Sequence, residues 1–408
     1  MTGAQLELRK IGEDEVFAWE QAVRTGFLER PAAELPEWRR ATLDLERTWA
    51  VVDAGRFVAT YRSFPTELTL PGGALAPVSA VTNVTVSPTH RRRGLLTRMI
   101  EADLREACER GEVASILIAA EWPIYGRFGF GPAIESVEWS VDARAARFVQ
   151  PGAGEVEIVD GGEARRELPE LHERRRHRQA GQIPIEDWRW DLITGLASFP
   201  GEKPKERWFA RCRVDGGTAG YALYRLQDRW SHSRPDYQLE LDHLVGDSPA
   251  VEARLWRFCC EMDWVSQVVA RNRPVDEPIQ HLLADGRAAR RAEHADYFWL
   301  RPLDVPRYLS TRRYATQGSV VLEITDPLGY AGGRFALETG PDGCSCRATR
   351  TSPDLAVPAS ALGIVSLGGI GLVQLARSGQ VEELTPGALL RAAAMFAWPE
   401  APWCAIGF

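Results

Sequence analysis

A mixed α/β (α+β) fold built twice, with a smaller α+β unit after it, is the architecture the sequence predicts. Three observations carry that reading. A β-rich hairpin from Thr48 to Arg62, turning at Asp53-Ala54-Gly55, leads into the strand-like VSAVTNVTV, a helical stretch and the apolar run SILIAA (Ser115 to Ala120). Much of that order then recurs, with a second hairpin from Trp208 to Arg225 turning at Asp215-Gly216-Gly217, followed by LELDHLV and PAVEARLWRFCCEM. From Tyr297 onward the alternating SVVLEI and GRFALET, then CSCRATR, read as strands, and apolar helical stretches follow. A chain of 408 residues with 45% hydrophobic content allows two or three domains at roughly 150 residues each. The expected divisions are 1–150, 151–296 and 297–408.

Within the first block, Leu96, Met99, Ile100, Leu104 and Ala107 recur at the i, i+3, i+4 spacing of a helix that buries one face. SILIAA has no polar alternation beyond its first serine, as expected of a strand covered on both faces. Leu355 to Ala376 carries no charge and is about long enough to cross a bilayer. Pro358, Gly363, Gly368, Gly369 and Gly371 interrupt it, so it reads as two short buried helices joined at Gly368-Gly369.

A net charge of −7 argues against general nucleic-acid binding and favours a small cationic partner. The seven cysteines have no zinc-site spacing and fit a free-thiol cytoplasmic chain. No metal is expected. The opening MTGAQLELRK lacks the apolar stretch of a signal peptide.

The informative segment is VTVSPTHRRRGLLTRMI, Val84 to Ile100. A strand that ends in a tight loop and restarts as a helix leaves the first helical N–H groups unpaired, and with the helix dipole these form an anion site. Gly94 lets the backbone approach a phosphate, and Arg91, Arg92 and Arg93 add charge-assisted hydrogen bonds suited to a diphosphate. Neither a P-loop nor a G-x-G-x-x-G following a strand occurs in this block. The second copy has Gly246-Asp247-Ser248-Pro249 at the matching place, so only the first copy is expected to hold the anion.

Some 25 residues beyond this corner comes EWPIYGRFGFGP, Glu121 to Pro132. The order V-x-V, R-x-x-G, helix, strand and Y-G-R-x-G-[FY] resembles the GNAT superfamily of N-acetyltransferases. VSPTHRRRGLLTRM with IYGRFGFGPA is similar, more narrowly, to the enhanced intracellular survival (Eis) family, and WLRPLDVPRYLSTRRY and LLRAAAMF extend the likeness through the third block. The resemblance implies tandem GNAT folds, an active one and a cryptic one, then a sterol-carrier-like domain. It implies acetyl-CoA as donor, a primary amine of an aminoglycoside, polyamine or lysine as acceptor, and a homo-oligomer, a hexamer.

By the same resemblance Val84, Thr85 and Val86 would meet the pantetheine arm. Arg92, Arg93, Gly94, Leu95, Leu96 and Thr97 would wrap the diphosphate, with Arg91 near and Ala120 and Glu121 along the other side. Tyr125 would be the general acid for the departing thiolate, and the carboxylate of Phe408 would take the amine's proton, directly or through water. Glu29, Trp38 and Trp122 would line the acceptor pocket. Ile118 and Ala120 replace a polar pair of better-known members, and Gly407 replaces an acid, which bears on the breadth of polycationic substrates. The competing reading is a small-molecule or lipid carrier with a vestigial transferase domain.

Elsewhere, HERRRHRQ (His172 to Gln179) is expected as a solvated helix face, His90 as a loop-packing residue, and Cys344-x-Cys346 as alternating positions on a strand.

Overall fold

The computed structural model describes residues 6–31, 33–35, 39–40, 42–199, 203, 206–340 and 343–408. The first copy contributes β1 (Glu7–Lys10), α1 (Val16–Gly26), β2 (Thr48–Asp53), β3 (Arg56–Thr69), β4 (Leu75–Val86), α2 (Leu95–Glu109), β5 (Ala114–Ile118) and β6 (Gly131–Asp142). The second gives β7 (Glu155–Val159), α3 (Gly161–Arg176), α4 (Asp187–Ile193), β8 (Trp208–Val214), β9 (Gly217–Gln227), β10 (Tyr237–Gly246), α5 (Pro249–Cys260), β11 (Val265–Arg273) and β12 (Ala289–Pro302). Both hairpins turn where the sequence places them, with positive φ at Ala54 and Gly55 and again at Asp215 and Gly216.

All twelve strands form one sheet, ordered β1-β2-β3-β4-β5-β12-β6-β11-β10-β9-β8-β7. The order is a palindrome of the two copies with their sixth strands exchanged. β12 pairs antiparallel with β5, from Phe298↔Ile118 to Pro302↔Ala114, while β6 pairs antiparallel with β11. The expected division at 296/297 therefore falls inside an unbroken strand. β12 must run through it to supply the edge that the first copy lacks.

β4 and β5 run parallel and pair only from Val78↔Ala114 to Val81↔Leu117, although β4 continues to Val86. The β3–β4 register shifts between Thr60 and Arg62, and Asn83 takes a φ of +54°. Such a bulge bends its strand, and β4 leaves β5 at this point. The result is a wedge whose β4 wall carries unpaired backbone groups.

The third unit has a five-stranded sheet, β15-β14-β13-β16-β17, made from β13 (Gly318–Thr325), β14 (Gly333–Gly340), β15 (Gly343–Ala348), β16 (Leu355–Pro358) and β17 (Glu382–Glu383). Around it lie α6 (Val305–Thr311), α7 (Ala359–Val365), α8 (Leu372–Arg377) and α9 (Ala388–Phe396). The uncharged segment forms strand β16 and then two short helices, α7 and α8, with Gly368 in the left-handed region between them. Among the described residues no helix is long and apolar enough to cross a membrane. One apolar cluster runs from Leu68, Ala80, Ile116 and Phe298 into Leu322, Ile364 and Phe396, so the third unit shares its core with the first copy.

The basic run on α3 is not a solvated face. His172 and Arg176 are buried; His172 Nε2 donates to Ile183 O at 3.0 Å and Arg176 pairs with Glu173 at 2.9 Å. The i, i+4 spacing puts both on the side that carries Leu168 and Leu171. His90 packs as expected, its Nε2 lying 2.9 Å from Asp53 Oδ2, and Cys344 and Cys346 sit on β15 as free thiols.

Arg301 on β12 and Asp326 after β13 form an ion pair at 2.8 Å with both side chains fully buried. Removing one partner of such a pair costs about 3–5 kcal/mol, so Asp326→Ala should lower the unfolding free energy extrapolated from chemical denaturation by that much. Residues 1–150 expressed alone lack β12 and should show no cooperative thermal transition by circular dichroism.

Candidate active site

At the open end of the β4–β5 wedge lies a cleft of about 620 Å³. Its walls are Val84, Thr85 and Val86 on one side, Ala120, Glu121 and Ile124 on the other, and Arg91, Arg92, Gly94, Leu95, Leu96 and Thr97 at the end. Tyr125 and Arg127 close the base. α2 begins here. Gly94 precedes it with φ +73°, and no side chain caps the helix. Its first-turn N–H groups thus face the cleft without intrahelical partners, at the positive end of a 15-residue helix. A Cβ on Gly94 would meet nothing within 4 Å, so the left-handed backbone is what calls for glycine there.

The second copy shows the opposite arrangement. α5 is capped by Ser248, whose side chain accepts from Val251 N, and Asp247 pairs with Arg174 at 2.9 Å. A cap and a carboxylate occupy the place an anion would take.

Behind the loop, His90 is held by Asp53 and by Thr89 Oγ1 at 2.8 Å, which fixes the entry into α2. α1 reaches the cleft through Gly26. A Cβ there would lie 2.4 Å from Thr85 Cβ, so glycine lets the helix end touch the strand.

Tyr125 is 8% exposed and precedes the turn Gly126–Phe128. Its carbonyl accepts from Phe128 N at 3.0 Å, and its ring meets Phe130 edge-on at 6.1 Å. Burial, and after it the Glu121 carboxylate, push its phenol up to about 12. It stays protonated and can act as an acid. The turn is braced from the exchanged strand, where Arg301 Nε donates to Phe128 O at 2.6 Å.

Of the residues expected to hold the donor, all but Arg93 line this cleft; Arg93 turns outward and donates to Thr89 O at 3.4 Å. Of the expected acceptor residues, neither Glu29 nor Trp122 lines it. Glu29 is exposed and 3.7 Å from Arg24. Trp122 is 59% exposed and stacks edge-on against Trp299 at 5.0 Å. Trp38 lies outside the described residues. Phe408 lines a separate cavity of about 400 Å³ with Phe64, Glu186 and Arg189, and its ring meets Phe64 at 5.2 Å and Phe298 at 5.1 Å. The tail still reaches the wedge, since a Cβ on Gly407 would lie 3.0 Å from Ile118 Cδ1 at the end of β5. Gly26, Phe27, Ile124 and Arg127 also line the cleft and were not picked out from sequence. Arg127 left a readable signal as the arginine of Y-G-R-x-G-[FY], and Gly26 one as the close of an amphipathic helix.

Residues 7–133 and residues 181–302 each match the family described as an acetyltransferase (GNAT) domain, and residues 305–405 match a sterol carrier protein domain. The chain is 41% identical over 408 residues to an uncharacterized N-acetyltransferase of Streptomyces avermitilis, with 98% of each chain covered. It is 34% identical over 341 residues to N-acetyltransferase Eis of Mycobacterium tuberculosis, covering 81% of this chain and 80% of that one. The crystal structure of Eis1 from Mycobacterium abscessus superposes with a TM-score of 0.86 at 29% identity, over 98% of this chain and 100% of that one. The GNAT fold implies use of an acyl-CoA. With two GNAT domains, a sterol-carrier-like third domain and these relatives, the chain is an acyltransferase enzyme that belongs to the Eis family of N-acetyltransferases.

Proposed function

We propose that this enzyme moves an acetyl group from acetyl-CoA to a primary amine by direct attack in a ternary complex. The observation that carries the proposal is the meeting, in one cleft, of an uncapped helix N-terminus, an unpaired strand edge and a buried neutral tyrosine. The α2 amides with Arg91 and Arg92 hold the donor's diphosphate. The free edge of Val84 to Val86 takes the pantetheine amides as an added strand would. That threads the thioester down the wedge toward Tyr125.

Attack by the amine nitrogen forms the C–N bond as the C–S bond breaks. Tyr125 gives its proton to the departing sulfur, and the nitrogen's surplus proton passes through water to the Phe408 carboxylate and on to solvent. The new thiol gains one proton, the amide has lost one, and Tyr125 takes its proton back from solvent, so the sum balances. Phe408 and Tyr125 line separate cavities, which is why water is placed between amine and carboxylate.

Tyr125→Phe should lower kcat by about 10²- to 10⁴-fold while leaving the KM for acetyl-CoA within about twofold of its original value, read by thiol release. A general acid works only while protonated, and an upward-shifted phenol extends that range. The rate should therefore rise with pH as the acceptor loses its proton and turn down only near 12, where Tyr125 ionises. A downturn centred below about pH 9 would remove Tyr125 from this role. Deleting Phe408 should depress kcat far more than acetyl-CoA affinity measured by calorimetry.

A further inference from the structure

The tail from Ala401 to Phe408 crosses the second copy before it reaches the first, and the second copy holds its backbone along the way. Ala401 N donates to Asp276 Oδ2 at 2.8 Å, and Gln179 Nε2 donates to Ala401 O at 2.7 Å. Trp403 N donates to Ala180 O at 2.9 Å and its indole Nε1 to Asn272 O at 2.8 Å. Asn272 Nδ2 returns a bond to Cys404 O at 3.0 Å, and Ala405 N donates to Gln182 Oε1 at 3.3 Å. At the far end Arg189 Nη1, on α4, donates to Gly407 O at 2.6 Å.

The tail rests on the second copy's own wedge, which is filled. β10 and β11 pair in parallel as far as Leu241↔Ala270 and both strands continue, as β4 does past Val81↔Leu117. Three residues beyond those last pairs, Leu244 stands where the first copy has Val84, and Arg273 where it has Ala120. Arg273 Nη1 donates to Leu244 O at 2.7 Å, its Nη2 meets Glu277 at 2.6 Å, and both residues are buried. The edge left open at Val84 is closed here by a guanidinium. That guanidinium lies 5.1 Å from the Trp403 ring centroid, so the closed wedge is also a seat for the tail.

Arg189 acts on the last peptide. Its bond fixes the Gly407 carbonyl, and because the peptide unit is planar this sets the N–Cα direction of Phe408. The Phe408 ring is held edge-on by Phe64 at 5.2 Å and Phe298 at 5.1 Å. With peptide plane and ring both held, the carboxylate keeps one free rotation, about its own Cα–C bond. A Cβ on Gly407 would lie 3.0 Å from Ile118 Cδ1 and 3.2 Å from the Tyr297 hydroxyl, so glycine is what fits. Glycine is also the residue least able to hold a peptide plane unaided. Glu186, 3.5 Å away, offsets the charge on Arg189.

We propose, on the reading above in which the Phe408 carboxylate receives the amine's proton, that Arg189 is a positioning residue for that carboxylate. The second copy, its own wedge closed, serves as the template that carries the tail to the β5 end of the first copy's wedge, and Arg189 orients the group at its tip.

The test uses the full chain with acetyl-CoA and kanamycin, spermidine or lysine as acceptor, turnover being read by thiol release and product by mass. Arg189→Gln should lower kcat about tenfold or more, as loss of one charged hydrogen bond would. The KM for acetyl-CoA should stay within about twofold, because the donor cleft is untouched. Arg189→Lys, which can still donate to Gly407 O, should recover most of the loss. Extending the chain by one alanine keeps the Phe408 ring and the Gly407 carbonyl but displaces the carboxylate. In that background Arg189→Gln should change kcat by less than about twofold further. Should Arg189→Gln not fold, Asn272→Asp gives the second reading, with the same pattern expected. It suits the left-handed backbone there (φ +50°) and removes the donor to Cys404 O. An undiminished kcat in both variants, or a loss just as large in the extended chain, overturns the inference and leaves the transferase standing. An extension that leaves kcat unchanged overturns the part given to Phe408, and the role of Arg189 with it. No acetylation of any of these amines overturns the transferase reading itself, and the inference that rests on it.

Discussion

The buried guanidinium of Arg301 joins all three units of the chain. It belongs to the strand that the second copy lends to the first, it donates to Phe128 O beside the tyrosine turn, and its ion pair is with Asp326 of the third unit. A charge this deep is tolerable only when every donor is met, and its Nη1 is satisfied by Pro302 O at 2.9 Å. The requirement works in both directions. Each unit supplies something the arginine needs, so the turn carrying Tyr125 is positioned by parts of the chain more than 170 residues away. The exchanged strand makes the same demand on a larger scale, because β5 would otherwise be a bare edge next to the reaction cleft.

Duplication supplies a comparison inside one molecule. Both copies build a parallel strand pair with a helix crossing between, and both offer a helix N-terminus at the matching point. In one copy Gly94 leaves that terminus open; in the other Ser248 closes it and Asp247 places a negative charge nearby. Two or three side chains thus separate a chemical site from a structural support with the same backbone plan. Through β12 the second copy braces the first, and its α4 adds Arg189 to the cavity around Phe408.

How far this could be read from sequence follows from the range of the forces involved. The hairpins, the α2 stripe and the glycine-arginine corner are local, set by turn chemistry, periodicity and one left-handed residue, and all of them stand where the sequence puts them. The strand exchange is not local, since nothing in ARRAEHADYFWLRP says which edge it will join. The burial of His172 and Arg176 was hidden for a related reason: charge suggests water, and only the packing of α3 shows that Glu173 and Ile183 take those groups in. The donor side of the site lies in two short continuous segments and was legible. The cavity around Phe408 is assembled from β3, α4 and the tail, segments far apart in sequence whose meeting no local signal announces.

The claim on which the account stands is that a diphosphate binds where β4 gives way to α2. A crystal structure of the full chain soaked with CoA tests it directly. The account predicts the diphosphate against the amides of Gly94 to Thr97 with the thiol end beside Tyr125. Density for the diphosphate at the Ser248 end of α5, or anywhere outside the β4–β5 wedge, would contradict it.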